Sequence, residues 1–168
     1  MIEHILRYAL PAAYALLPAP MQSPAASALL LSIGLQESKF LERRQRAGGP
    51  ARGFWMFEKS GLTGVIKHPA TAGHLEAALR ALRYDGPITA RLCLTRVQHN
   101  DPLAAVFARL LLWTLPDKLP ERDAPGVAWT QYLKLWRPGK PIKGTWGAHY
   151  AHATAAEEQQ SRQGATRG

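Results

Sequence analysis

With one cysteine, Cys93, in 168 residues, no disulfide can form within the chain. Folding in a reducing compartment is the simplest reading. Cys93 lies in the apolar run Ile88-Thr89-Ala90-Arg91-Leu92-Cys93-Leu94 with no neighbouring base, and reads as a small core residue instead of a nucleophile. Acidic residues are also scarce: 12 Asp and Glu oppose 21 Lys and Arg, a net charge of +9. Such a balance implies polyanionic company, the candidates being nucleic acid, a membrane surface and a bacterial cell wall. Long hydrophobic runs are missing too, and none approaches the roughly 20 residues that a membrane-spanning helix requires. Residues 1–20 are apolar, but Glu3 and His4 stand where an export signal carries its basic residues, and Pro11 interrupts the run. The chain reads as having no signal peptide and no membrane anchor. His-Glu-x-x-His, Gly-x-x-x-x-Gly-Lys and Gly-x-Ser-x-Gly are all absent. His149 and His152 lack a suitably spaced third ligand, so neither a metal nor a cofactor is expected.

What is present is helical punctuation. Apolar residues make up 46% of the chain, enough for one folded domain over residues 1–158, followed by a flexible polar tail at 159–168. Ser23-Pro24 places an N-cap before a first-turn proline and opens a helix from Ala25 to Glu37. Asn100-Asp101-Pro102 does the same for Leu103 to Trp113. Leu75, Leu79 and Leu82 share one face of a helix from Ala72 to Tyr84, stopped by Asp85-Gly86-Pro87. Pro125 starts a helix from Gly126 to Trp136, and a last helix runs from Thr145 to about Glu158. Ile2 to Leu17 is expected to be helical and kinked or restarted at Pro11. Ile88 to Val97 is left between helix and short strand, since its β-branched residues are too few to force a strand. The expected fold is mainly α, with an irregular or small β region from Leu41 to Pro69.

That irregular region follows Glu37 directly. The helix before it, Ala25-Ala26-Ser27-Ala28-Leu29-Leu30-Leu31-Ser32-Ile33-Gly34-Leu35, is apolar nearly all round, as a central buried helix is. At its C-terminal end the helix dipole presents negative charge, which disfavours a carboxylate, and apolar surroundings act in the same direction. Glu37 is therefore placed to keep its proton and serve as a general acid. A protonated carboxyl beside an aromatic-lined groove is what breaking a glycosidic bond requires. This reading needs Lys39, Arg43, Arg44, Arg46 and Arg52 to point away from Glu37, because their charge would lower its pKa.

Glu37-Ser38-Lys39-Phe40 followed by Ala51-Arg52-Gly53-Phe54-Trp55-Met56 resembles the lysozyme-like superfamily, especially lytic transglycosylases and phage muramidases. Their signature is Glu-Ser at a helix end, an aromatic or apolar residue two on, and then a Gly-Ala-x-Gly-Leu-Met-Gln turn. Met56 stands where that family has Gln, a departure. The resemblance implies a lysozyme-like domain in which Glu37 is the acid/base, with Ser38 beside it. It also implies that Phe54 and Trp55 line the saccharide groove or buttress the site, with Met56 next to them. A late tyrosine in related enzymes hydrogen-bonds the glutamate, which makes Tyr150 a candidate. A hydrolase needs a second carboxylate about 5–9.5 Å away, and Glu58, Asp85 and Asp101 are the candidates. A transglycosylase uses the sugar's own groups instead.

Trp136 and Arg137, at the end of a helix that also carries Trp129, are candidates for saccharide stacking and anionic wall contact. The leading expectation is a monomeric peptidoglycan-cleaving enzyme acting on glycan strands, phage-derived, with no obligatory nucleic acid. It would be made in the cytoplasm and reach the wall after release or with a virion. The alternatives are a basic helical nucleic-acid-binding protein using Lys39 to Arg52, and a non-catalytic wall-binding or virion structural protein.

Overall fold

A proline inside the first helical segment is accommodated by a change of helix type. In the computed structural model, which describes residues 1–166, α1 (Ile2–His4) passes into a π-helical stretch (Ile5–Ala9) and then α2 (Leu10–Tyr14). The Leu10 N–H reaches back five residues to the Ile5 carbonyl, and this wider turn makes room for the Pro11 ring, which would clash in a regular helix. After a 3-10 turn (Ala19–Met21) comes α3 (Pro24–Glu37), whose Ser23 side chain accepts from the Ala26 N–H at 3.1 Å. Residues Ala28 to Leu35 are buried without interruption. This explains why no polar face is visible in the sequence: α3 has none to present.

The remaining helices pack on it directly or through α7. They are α4 (Lys59–Lys67), α5 (Ala72–Ala81), α6 (Ala90–His99), α7 (Asp101–Trp113), α8 (Pro125–Trp136) and α9 (Lys143–Ala165). α9 lies along α3, while α7 touches α2, α3, α4, α5 and α6. A single apolar core joins them, with Leu30, Ile33, Phe40, Trp55, Phe107 and Tyr132 among its members. No helix among the described residues is long and apolar enough to cross a membrane.

The mainly α expectation holds, with four local differences. The stretch left between helix and strand resolves as a helix over Ala90–His99, opened by Thr89 accepting from the Leu92 N–H at 3.3 Å. The helix expected to reach Tyr84 stops at Ala81, where Arg83 turns left-handed (φ 56°) and the Tyr84 N–H bonds back to the Leu79 carbonyl. The region expected to be irregular or a small β region contains α4, held by its buried Leu62 and Val65. The helix expected to end near Glu158 continues as α9 through the residues set aside as a tail, as far as Ala165. Glu158 pairs with Arg162 (2.6 Å) and Arg122 (2.9 Å). Residues 167–168 of that tail lie outside the described residues.

Candidate functional site

Where α3 ends, the backbone turns sharply. Lys39 and Phe40 are both left-handed (φ 54° and 55°), a conformation that costs non-glycine residues about 1 kcal/mol or more each. Ser38 holds the turn: its Oγ donates to the Phe54 carbonyl at 2.7 Å and accepts from the Phe40 N–H at 3.1 Å. The turn swings the Phe40 ring back onto Gly34, and a Cβ at position 34 would overlap that ring. Phe40 then meets Phe54 and Trp55 edge-on, with ring centroids 5.6 and 5.8 Å away.

The second half of the motif is a tight antiparallel turn. Arg52 and Phe57 exchange both backbone hydrogen bonds (2.9 and 2.8 Å), and a second isolated bridge joins Arg44 to Arg52. Gly53 is required there, since its φ is 73° and a Cβ would press on the Val97 carbonyl oxygen. Phe54 and Trp55 are completely buried. Of the two roles expected for them, lining the groove or buttressing it, burial leaves the second, and neither is among the cleft-lining residues, so they are not substrate-contacting. Trp55 Nε1 donates to the Leu30 carbonyl at 2.8 Å, and the Trp55 carbonyl accepts from Trp136 Nε1 at 2.9 Å. The turn thus fastens α3 to α8.

Glu37 is only partly exposed, and the Tyr132 hydroxyl donates to its Oε1 at 2.6 Å. Burial pushes the Glu37 pKa above the usual carboxylate value. The Tyr132 hydrogen bond opposes that shift, and the charge of Glu58 adds to it. No cation is among the causes of the shift. Three members of the basic run are engaged by other partners: Arg43 forks onto Asp101 (2.9 and 2.7 Å), Arg46 pairs with Glu42 at 3.0 Å, and Arg52 donates to the Gly49 and Ala51 carbonyls. Lys39 and Arg44 line the same cleft as Glu37 without an ion pair among the described residues, so the expectation that the whole run points away from it is met only in part. Tyr150 does not reach Glu37. Its hydroxyl donates to the Glu121 carbonyl at 2.9 Å, so the tyrosine of the site is Tyr132 on α8.

Glu37 opens into a cleft of about 760 Å³. Ser38, Met56, Glu58, Trp136 and Arg137 all line it, which brings five of the expected site residues together with Glu37. Of the three candidates for a second carboxylate, only Glu58 borders the cleft. Asp101 is bound to Arg43, with His4 at 3.4 Å, and Asp85 lies away from it. No family model matches this chain, and neither does any curated protein or solved structure.

One neighbour of Glu37 is invisible as a functional residue in the sequence. Gln36 also lines the cleft, and its side chain ties the start of α9 to the end of α3. Its Nε2 donates to the Ile142 carbonyl at 2.9 Å, while its Oε1 accepts from Thr145 Oγ1 (3.1 Å) and His149 Nδ1 (2.9 Å). Burial, Lys39 and His152 all push the His149 pKa down, keeping the ring neutral with its Nδ1 proton facing Gln36. Among the described residues, no three His, Cys, Asp or Glu side chains are grouped to hold a metal ion. Tyr132 could have been suspected from its place between Trp129 and Trp136 on one helical stripe. That stripe reads as packing, and Tyr132 does pack there, stacked on Trp146 with ring centroids 5.2 Å apart.

Proposed function

We propose that this chain is a lysozyme-like, peptidoglycan-cleaving glycosidase that breaks the β-1,4 bond between N-acetylmuramic acid and N-acetylglucosamine, with Glu37 as acid/base. The observation that carries this reading is a carboxyl with a raised pKa, hydrogen-bonded by a tyrosine and opening into a cleft of about 760 Å³. Near neutral pH a raised pKa lets Glu37 deliver its proton to the glycosidic oxygen as the C–O bond breaks. Once ionised, Glu37 is stabilised by the Tyr132 hydroxyl, which remains a donor. Glu58 contributes negative potential to the same cleft, where an oxocarbenium-like transition state carries positive charge.

The proton returns to Glu37 from one of two sources. In a hydrolase it comes from a water that adds to the anomeric carbon. In a transglycosylase it comes from the muramic acid 6-hydroxyl, which closes an anhydro ring as its oxygen attacks that carbon. The test is mass spectrometry of purified sacculi digested by the wild type and by Glu37→Gln. Products ending in 1,6-anhydromuramic acid, lighter by one water, identify a transglycosylase, and reducing ends identify a hydrolase. Absence of products from the wild type, or equal products from the variant, overturns the assignment of Glu37.

A further inference from the structure

The cleft holds cations without a carboxylate partner among the described residues, although Arg137 Nε donates to the Lys134 carbonyl at 3.4 Å. Arg46 and Lys134 line it, but each is occupied, by Glu42 at 3.0 Å and Asp117 at 3.1 Å. Lys39, Arg44 and Arg137 also line it and form no ion pair among the described residues. They come from separate elements. Lys39 sits in the turn after α3, Arg44 is fixed by its backbone bridge to Arg52, and Arg137 is the left-handed residue (φ 48°) closing α8. Glu37 and Glu58 border the same space. A ligand with charge along its backbone would lay phosphates over those carboxylates. A neutral backbone with acidic side branches suits the arrangement better, with the backbone passing Glu37 and the branches reaching the cations.

Resting on the glycosidase reading, we infer that Lys39, Arg44 and Arg137 bind the carboxylates of the stem peptides on muramic acid, so that the substrate is the peptide-bearing strand and not the bare glycan. The sugar backbone is uncharged there, and the peptides supply acid groups to the side of the scissile bond. On this assignment the three cations hold the peptide branches and Glu37 acts on the sugar, so their contribution falls on KM.

The experiment compares sacculi freed of phosphate-containing polymers with the same glycan stripped of its peptides by an amidase. The expected result is a preference of about tenfold in kcat/KM for intact strands, the sum of two or three partly exposed ion pairs. It is expected to shrink as salt rises from 0.05 to about 0.5 M. Arg44→Gln combined with Arg137→Gln brings the ratio of intact to stripped activity towards one, and the Arg→Lys pair, which keeps the charge, restores most of the preference. Equal wild-type rates on the two substrates overturn this inference and leave the glycosidase reading standing. Cleavage of neither substrate, with retention of DNA at low salt, overturns both. A preference that persists in the double Gln variant overturns the role of these arginines.

Discussion

The Tyr132 hydroxyl and Glu37 Oε1 lie 2.6 Å apart, joined across 95 residues of sequence. The bond favours the ionised carboxylate, while burial and Glu58 favour the proton. Opposed influences of this kind set where the acid titrates. A general acid loses activity as pH rises through its pKa. Tyr132→Phe should therefore move the alkaline limb of the pH–rate profile to higher pH and reduce kcat about tenfold through loss of a charge-assisted hydrogen bond. Glu58→Gln should move the same limb to lower pH. Profiles of kcat against pH on sacculi check both, and shifts of the opposite sign would sink this account of Glu37.

Glu37 also links stability to pH. Its folded pKa is raised above the ordinary glutamate value, so its contribution is fully present below that ordinary value and is lost as pH rises through the folded pKa. Glu37→Gln keeps the shape without the charge, and its amide oxygen can still accept from Tyr132. The variant should be more stable than wild type at pH 8 and equal to it at pH 4. Thermal melts at the two values test this.

Gly34 is the packing counterpart of Phe40. Gly34→Ala should destabilise by about 1–3 kcal/mol, because the new methyl meets the ring. Phe40→Leu would make room for it, so the double variant should lose less than the sum of the two single changes. Denaturant melts of all four proteins complete the cycle. Strict additivity would show that the ring is free to move aside.

Asp101 is a carboxylate with a structural task. Asp101→Asn breaks the fork from Arg43, which also lies over the Phe54 ring at 4.1 Å. The expected loss is about 1–2 kcal/mol, with the pH profile of activity unchanged. A displaced pH profile would place Asp101 in the chemistry after all.

Much of the fold is legible because its signals are local. Ser23-Pro24 and Asn100-Asp101-Pro102 cap their helices with side chains a few residues from the N–H groups they satisfy, and both starts fall within two residues of expectation. α4 escapes such reading because Lys59-Ser60-Gly61-Leu62-Thr63-Gly64 carries two glycines, and its helix depends on burying Leu62 and Val65. The site divides in the same way. Glu37 and its turn are contiguous and readable. The inward direction of Phe54 and Trp55 is set by the Arg52–Phe57 bridge, which a string of residues does not display. Choosing Tyr132 over Tyr150 needed the rotation of α8 against α3, a property of packing alone.

α3 is enclosed by segments that follow it in the chain: α7, the turn at Gly53, α9, and α8 through Tyr132. An isolated chain ending before Tyr132 would leave Glu37 in water as a common carboxylate. Its acidity is thus a readout of completed folding, and on heating the alkaline pH limit of activity and the native packing should disappear together.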